Sequence, residues 1–92
     1  MSRILDLVLM HKWFDMIASG KKLEEYREIK PFYENRFSKY SYDTVRFHRG
    51  YTDTVMEWEI VSIERGIGKP EWGAPDYPVF IIKLKPIHKE GS

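Results

Sequence analysis

The chain has 92 residues, fifteen Lys plus Arg against fourteen Asp plus Glu, 42% hydrophobic residues and no cysteine. At this length only about two thirds of the unfolded surface can be buried, so the chain holds one compact domain; a separate cofactor lobe and a Rossmann or barrel enzyme of ordinary length are excluded. The missing cysteines exclude a disulfide framework, a thiolate zinc finger and a cysteine nucleophile, and set the expectation of a reducing compartment, the cytoplasm by default.

Residues 4–9 are a short, branched apolar run that predicts a mostly buried strand. Residues 11–19 follow as a short helix, with Trp13, Phe14 and Ile17 on one face and Gly20 where a left-handed C-cap belongs. Residues 21–29 fit two patterns: Leu23, Tyr26 and Ile29 suit a helix, whereas Leu23, Glu25, Arg27 and Ile29 share one face of a strand. As a strand, the segment sets Glu25 and Arg27 between apolar residues on the inward face. Buried charges are costly unless paired, so that face is either a structural ion pair or the floor of a polar site.

Pro31 opens an aromatic-rich stretch through Phe37 that predicts a helical turn or lid. Three further strands are expected at residues 44–48, 54–65 and 79–85. In the long middle one, Met56, Trp58 and Ile60 occupy one face, then Val61 and Ile63 take the other, which predicts a bulge where the sheet curves. Residues 66–75 form a loop dense in Gly and Pro. The expected architecture is a small, strongly curved α+β domain, a β-barrel of about five or six strands with one or two short helices. Residues 1–90 read as a single domain, and Gly91 and Ser92 as a tail of the kind a cloning scar leaves. No apolar run approaches the roughly 18 residues of a membrane span, and no cleavable leader is evident, so no membrane association is expected.

The near-neutral total charge hides an uneven distribution. Residues 36–49 hold Arg36, Lys39, Arg46, His48 and Arg49 against Asp43, whereas residues 50–76 hold six carboxylates against Arg65 and Lys69. Arg46, His48, Arg49 and Tyr51, with Tyr40 and Tyr42 close by, make a basic strand interleaved with aromatics. Cations track a phosphodiester backbone and aromatic faces stack on unpaired bases, so the pattern fits single-stranded RNA as well as a solvated barrel strand.

The segment Gly20-Lys21-Lys22-Leu23-Glu24-Glu25-Tyr26-Arg27 resembles the G-x-K-x-x-E-x-R signature of the ASCH family, a branch of the PUA-like barrels. The similarity continues in Val45-Arg46-Phe47-His48-Arg49-Gly50-Tyr51 and in the closing strand of residues 79–84. The resemblance implies a PUA-like barrel with a basic cleft, and roles in RNA binding, RNA modification or RNA-linked regulation. The expected ligand is RNA, single-stranded by preference, or a nucleoside or nucleotide. Lys22, Arg27, Arg46, His48, Arg49, Tyr51 and Trp72 are the expected binding residues, Trp72 either capping the cleft or packing its loop on the barrel.

Some members of the family resemble small amidohydrolases that act on acylated cytidine through a Lys, a Thr three residues later and a distant Glu. Here Glu25 stands at the Thr position, and a carboxylate lacks the hydroxyl's donor. Lys22 and Glu25 are therefore the catalytic candidates if the chain is an enzyme, as that hydrolase or a ribonuclease, with Glu57 and Glu59 as distant candidates. A protein-interaction module built on the Trp72 loop is the third possibility. His11, His48 and His88 lack metal-ligand spacing, and Gly66-Ile67-Gly68 lacks the rest of a phosphate-binding loop, so neither metal nor cofactor is expected. In a regular strand Lys22 faces away from Glu25 and Arg27; their convergence requires a bulge, or a strand that starts after Lys22.

Overall fold

The computed structural model describes residues 3–87; the tail Gly91 and Ser92, and His88, lie outside them. Five strands and two helices run in the order β1 (Arg3–Leu9), α1 (His11–Ala18), β2 (Glu24–Arg27), α2 (Pro31–Lys39), β3 (Tyr42–Arg49), β4 (Val55–Gly66) and β5 (Val79–Lys85). One sheet in the order β1-β3-β4-β5-β2 curls into a half-barrel, with β1 parallel to β3 and every other pair antiparallel. The architecture is thus the small curved α+β one that the periodicity predicts. No helix among the described residues is long and apolar enough to cross a membrane.

The concave face carries the core. Leu5, Leu7 and Leu9 alternate inward from β1, Val45 and Phe47 from β3, and Ile82 and Leu84 from β5; α1 adds Phe14 and Ile17. This is the period of two expected of strands with one buried face. In β4, Met56 and Trp58 lie opposite Phe47 and Val45, so they face inward too. The register slips between Ile60 and Ser62, leaving Val61 exposed and returning Ile63 to the inner face opposite Ile82. That bulge is the one the apolar phase change requires.

α1 ends as its sequence predicts. Gly20 has φ of 81°, Gly20 N–H bonds to the Ile17 carbonyl at 2.9 Å, and Lys21 N–H reaches the Met16 carbonyl at 3.0 Å. This is a Schellman cap, which reverses the chain and satisfies the last helical carbonyls. It also decides where Lys22 goes, because β2 begins only at Glu24.

α2 is a full nine-residue helix rather than a single turn, opened by Pro31 at its first position. It closes one end of the half-barrel through Phe37, whose ring meets Phe80 edge-on at 4.9 Å and lies 5.7 Å from Tyr33. The two free edges of the sheet, β1 and β2, are bridged by a side chain: Arg27 Nη2 donates to the Val8 carbonyl at 3.0 Å.

Candidate functional site

Lys22, Glu25 and Arg27 converge. Glu25 and Arg27 lie opposite Ile82 and Phe80 on β5 and so point to the inner face. Lys22, in the turn just before β2, swings its Nζ to 3.2 Å from Glu25 Oε1, while Arg27 Nη2 and Nε hold Glu25 Oε2 at 2.9 and 3.1 Å. One carboxylate therefore serves two cations, each on its own oxygen, as a low-dielectric site demands.

Lys22 is among the most deeply buried side chains of the protein, 1% exposed. Its ammonium sits 4.6 Å from the Trp13 ring centroid and 5.1 Å from that of Tyr26, and donates a hydrogen bond to the Trp72 carbonyl. Two aromatic faces, a carboxylate and a carbonyl thus replace its hydration shell. Burial still holds its pKa below the usual lysine value, against the opposing pull of Glu25. The Gly/Pro loop closes this cage because Gly73, at φ of 95°, lies on the Trp13 ring, where a Cβ would come within 2.8 Å. Trp72 acts through its backbone, and its ring lies beneath Lys69 at 4.3 Å. Trp13, on the apolar face of α1 with Phe14 and Ile17, is half-buried and forms a wall of the lysine cage.

Tyr26 fixes the same loop from β2. Its hydroxyl donates to Glu24 Oε1 at 2.7 Å and accepts from Lys69 N–H at 3.0 Å, and burial pushes its pKa well above the usual phenol value. The two buried groups have opposite pH signatures. A lysine with a lowered folded pKa makes stability rise with pH between that pKa and its unfolded value of 10.5, whereas a tyrosine with a raised one makes stability fall above 10.0. Comparing the wild type with Lys22→Met isolates the first, since Tyr26 is common to both. The stability difference between them, from urea unfolding, should shift in favour of the wild type as pH climbs from neutral toward 10.5; a flat or falling difference contradicts the buried, charged lysine.

Next to this cluster lies a cavity of about 290 Å³ whose walls include Tyr26, Arg27, Glu28, Lys30 and Tyr33, closed on the other side by the loop from Gly73. Arg27 is the link between cluster and cavity. Each of its three nitrogens donates a hydrogen bond, Nε to Glu25 Oε2, Nη2 to the Val8 carbonyl and Nη1 to Tyr33 Oη at 3.2 Å, and Nη2 also lies 2.9 Å from Glu25 Oε2. The second Nη1 N–H has no partner among the described residues, on a side chain 19% exposed. A larger groove of about 530 Å³ lies elsewhere, at Ala18, Met56, Trp58, Pro86 and Ile87, but it is mainly apolar, and among the described residues its one charged lining residue is Glu57.

The basic strand does not join this site. Arg46 and His48 alternate with the buried Val45 and Phe47, so they stand on the convex face, away from Glu25 and Arg27. Each faces an acid. Arg46 is held by Glu57 at 2.9 Å and lies 3.7 Å from Asp6; His48 Nε2 is 2.8 Å from Asp6; Arg49 pairs with Asp15 of α1 at 3.0 Å. Tyr51 projects fully into solvent at the β3–β4 turn. The single cleft expected to unite β3 with Lys22, Glu25 and Arg27 is therefore two separate places. Glu57 and Glu59, weighed as distant catalytic groups, also stand on the convex face, opposite Arg46 and Thr44.

The sequence reading missed Glu28, Lys30 and Tyr33 as lining residues. Their only signal was position, immediately after the signature and at the start of the aromatic stretch. No family model matches the chain, and no curated protein matches it in sequence.

Proposed function

We propose that the chain is an ASCH-like, PUA-type domain that binds RNA or a nucleotide-like ligand in the cleft beside Arg27, and that it does so in the cytoplasm. The observation that carries this reading is the coincidence of the signature residues with the cavity. Arg27, held from behind by Glu25 and through it tied to Lys22, lines a concavity that also offers Lys30 and the Tyr26 and Tyr33 rings. Its volume of about 290 Å³ lies at the small end of ligand pockets, which suits one nucleotide unit. Aromatic faces beside a guanidinium are the elements that hold an unstacked base and its phosphate. The basic strand supports this role less, because Arg46, His48 and Arg49 each already face a carboxylate of the chain.

In this reading Lys22 and Glu25 are positioning residues: they hold Arg27 and the loop in place and do not touch the ligand. A titration of labelled single-stranded RNA at two salt concentrations tests it. Saturable binding, weakened by salt and lost in Lys30→Ala, is the expected outcome. Binding that survives Lys30→Ala and disappears in Arg46→Ala moves the site to β3 and overturns the assignment.

A second reading, a hydrolase acting on nucleic-acid components, is favoured by one feature: a buried lysine of lowered pKa beside a carboxylate is a common arrangement at catalytic centres. Substrate would have to displace the Trp72 carbonyl to reach it. Turnover of an acylated nucleoside or an RNA that is lost in Lys22→Met selects this reading over simple binding.

A further inference from the structure

We infer that the cleft selects one nucleotide carrying a single negative charge, the monoanionic phosphodiester, and discriminates against terminal phosphates and polyphosphates. The inference rests on the cleft assignment above and deepens it.

Charge around the cavity is the first argument. Of the charged residues that line it, Arg27 and Lys30 bring two positive charges and Glu28 removes one. The three lining groups sum to one positive charge. That matches one phosphodiester, whereas a dianionic phosphate monoester or a triphosphate brings surplus negative charge close to Glu28.

Glu28 supplies the second argument. It lines the cavity, and Tyr77 Oη, 2.9 and 3.0 Å from its two oxygens, donates to it and holds it against the loop. An ionised carboxylate is acceptor-only, so it welcomes a ribose hydroxyl or an amino group of a base and repels a phosphate oxygen. Arg27 presents the converse, a donor for an anionic oxygen, but with each of its three nitrogens already bonded to the protein it is not the open two-pronged fork that grips a phosphate dianion. Size agrees, since about 290 Å³ leaves no space for a chain of phosphates beside a base and sugar.

Two sources share this chemistry: an internal nucleotide of an RNA strand and a free cyclic nucleotide. Calorimetric titrations at constant ionic strength and neutral pH with the dinucleotide UpU, uridine 2′,3′-cyclic monophosphate, UMP and UTP separate them. UpU or the cyclic monophosphate should bind at least about tenfold more tightly than UMP or UTP, the size of effect one like charge has a few ångströms away. UpU alone doing so identifies RNA, and the cyclic nucleotide alone a free ligand. Glu28→Gln, at a partly exposed position, should narrow the ratio by admitting UMP. An affinity that climbs with charge, UTP above UMP above UpU, overturns the inference, as does a ratio untouched by Glu28→Gln. If labelled single-stranded RNA binds and Lys30→Ala abolishes that binding while the small probes show no such order, the inference falls and the cleft assignment stands. If neither RNA nor any small probe binds, both fall.

Discussion

Glu25→Ala should cost about 3 to 5 kcal/mol of stability, a large share of the roughly 5 to 15 kcal/mol that holds a typical domain folded. The carboxylate is 6% exposed and is the shared partner of a lysine that is 1% exposed and an arginine that is 19% exposed along its side chain. Truncating it leaves two cations facing each other across an apolar floor, with their desolvation uncompensated. Arg27 then loses the anchor that aims Nη2 at the Val8 carbonyl, and the seam between β1 and β2 loosens. Urea unfolding followed by circular dichroism measures the loss. Glu25→Gln retains an acceptor but no charge, so it should fall between wild type and alanine. A loss below about 1 kcal/mol for Glu25→Ala would mean that the pair is solvated like a surface salt bridge, and the scaffold role would be abandoned.

The second large effect is expected at Phe47. Its side chain is 0% exposed and lies in the cluster formed by β1, β3, β5 and α1. Phe47→Ala removes the transfer energy of the ring and leaves a cavity that the surrounding strands can only partly fill, about 3 to 5 kcal/mol together. Phe47→Leu keeps most of the volume and should cost less than half as much. The same urea titration gives both values. Equal losses for Ala and Leu would show that the site rejects a change of shape rather than suffering from a void, and that the concave face is less tightly filled than its burial implies.

These two positions also show what the sequence made legible. Phe47 could be read as inward from the alternation along residues 44–48, since a strand with one buried face repeats every two residues. β1, α1 with its Gly20 cap, and the bulge at Val61 were legible for the same reason: each is decided by residues within a few positions of one another. β2 was not, because a helix and a strand fit its apolar residues equally well. Its pairing with Ile82 and Phe80, more than fifty positions along the chain, decides for the strand. Convergence of Lys22 on Glu25 depended on the strand starting at Glu24, one of the two conditions the sequence left open.

The charge pattern of β3 was the least legible feature. Arg46, His48 and Arg49 form a basic cluster along the chain, yet their partners Asp6, Asp15 and Glu57 arrive from β1, α1 and β4. Local composition carries no record of neighbours supplied by sheet pairing. The cleft residues Glu28, Lys30 and Tyr33 were hidden in the same way, since only the fold sets them around one cavity beside the signature.

The most direct test of the account is a proton–nitrogen correlation NMR titration of the wild-type protein with a short single-stranded RNA. Amide shifts should concentrate at residues 26–33 and 73–79, on the two walls of the cleft, while residues 44–51 stay in place. Shifts concentrated at residues 46–51, with the cleft walls unmoved, would contradict the assignment and return the binding face to the outer side of β3.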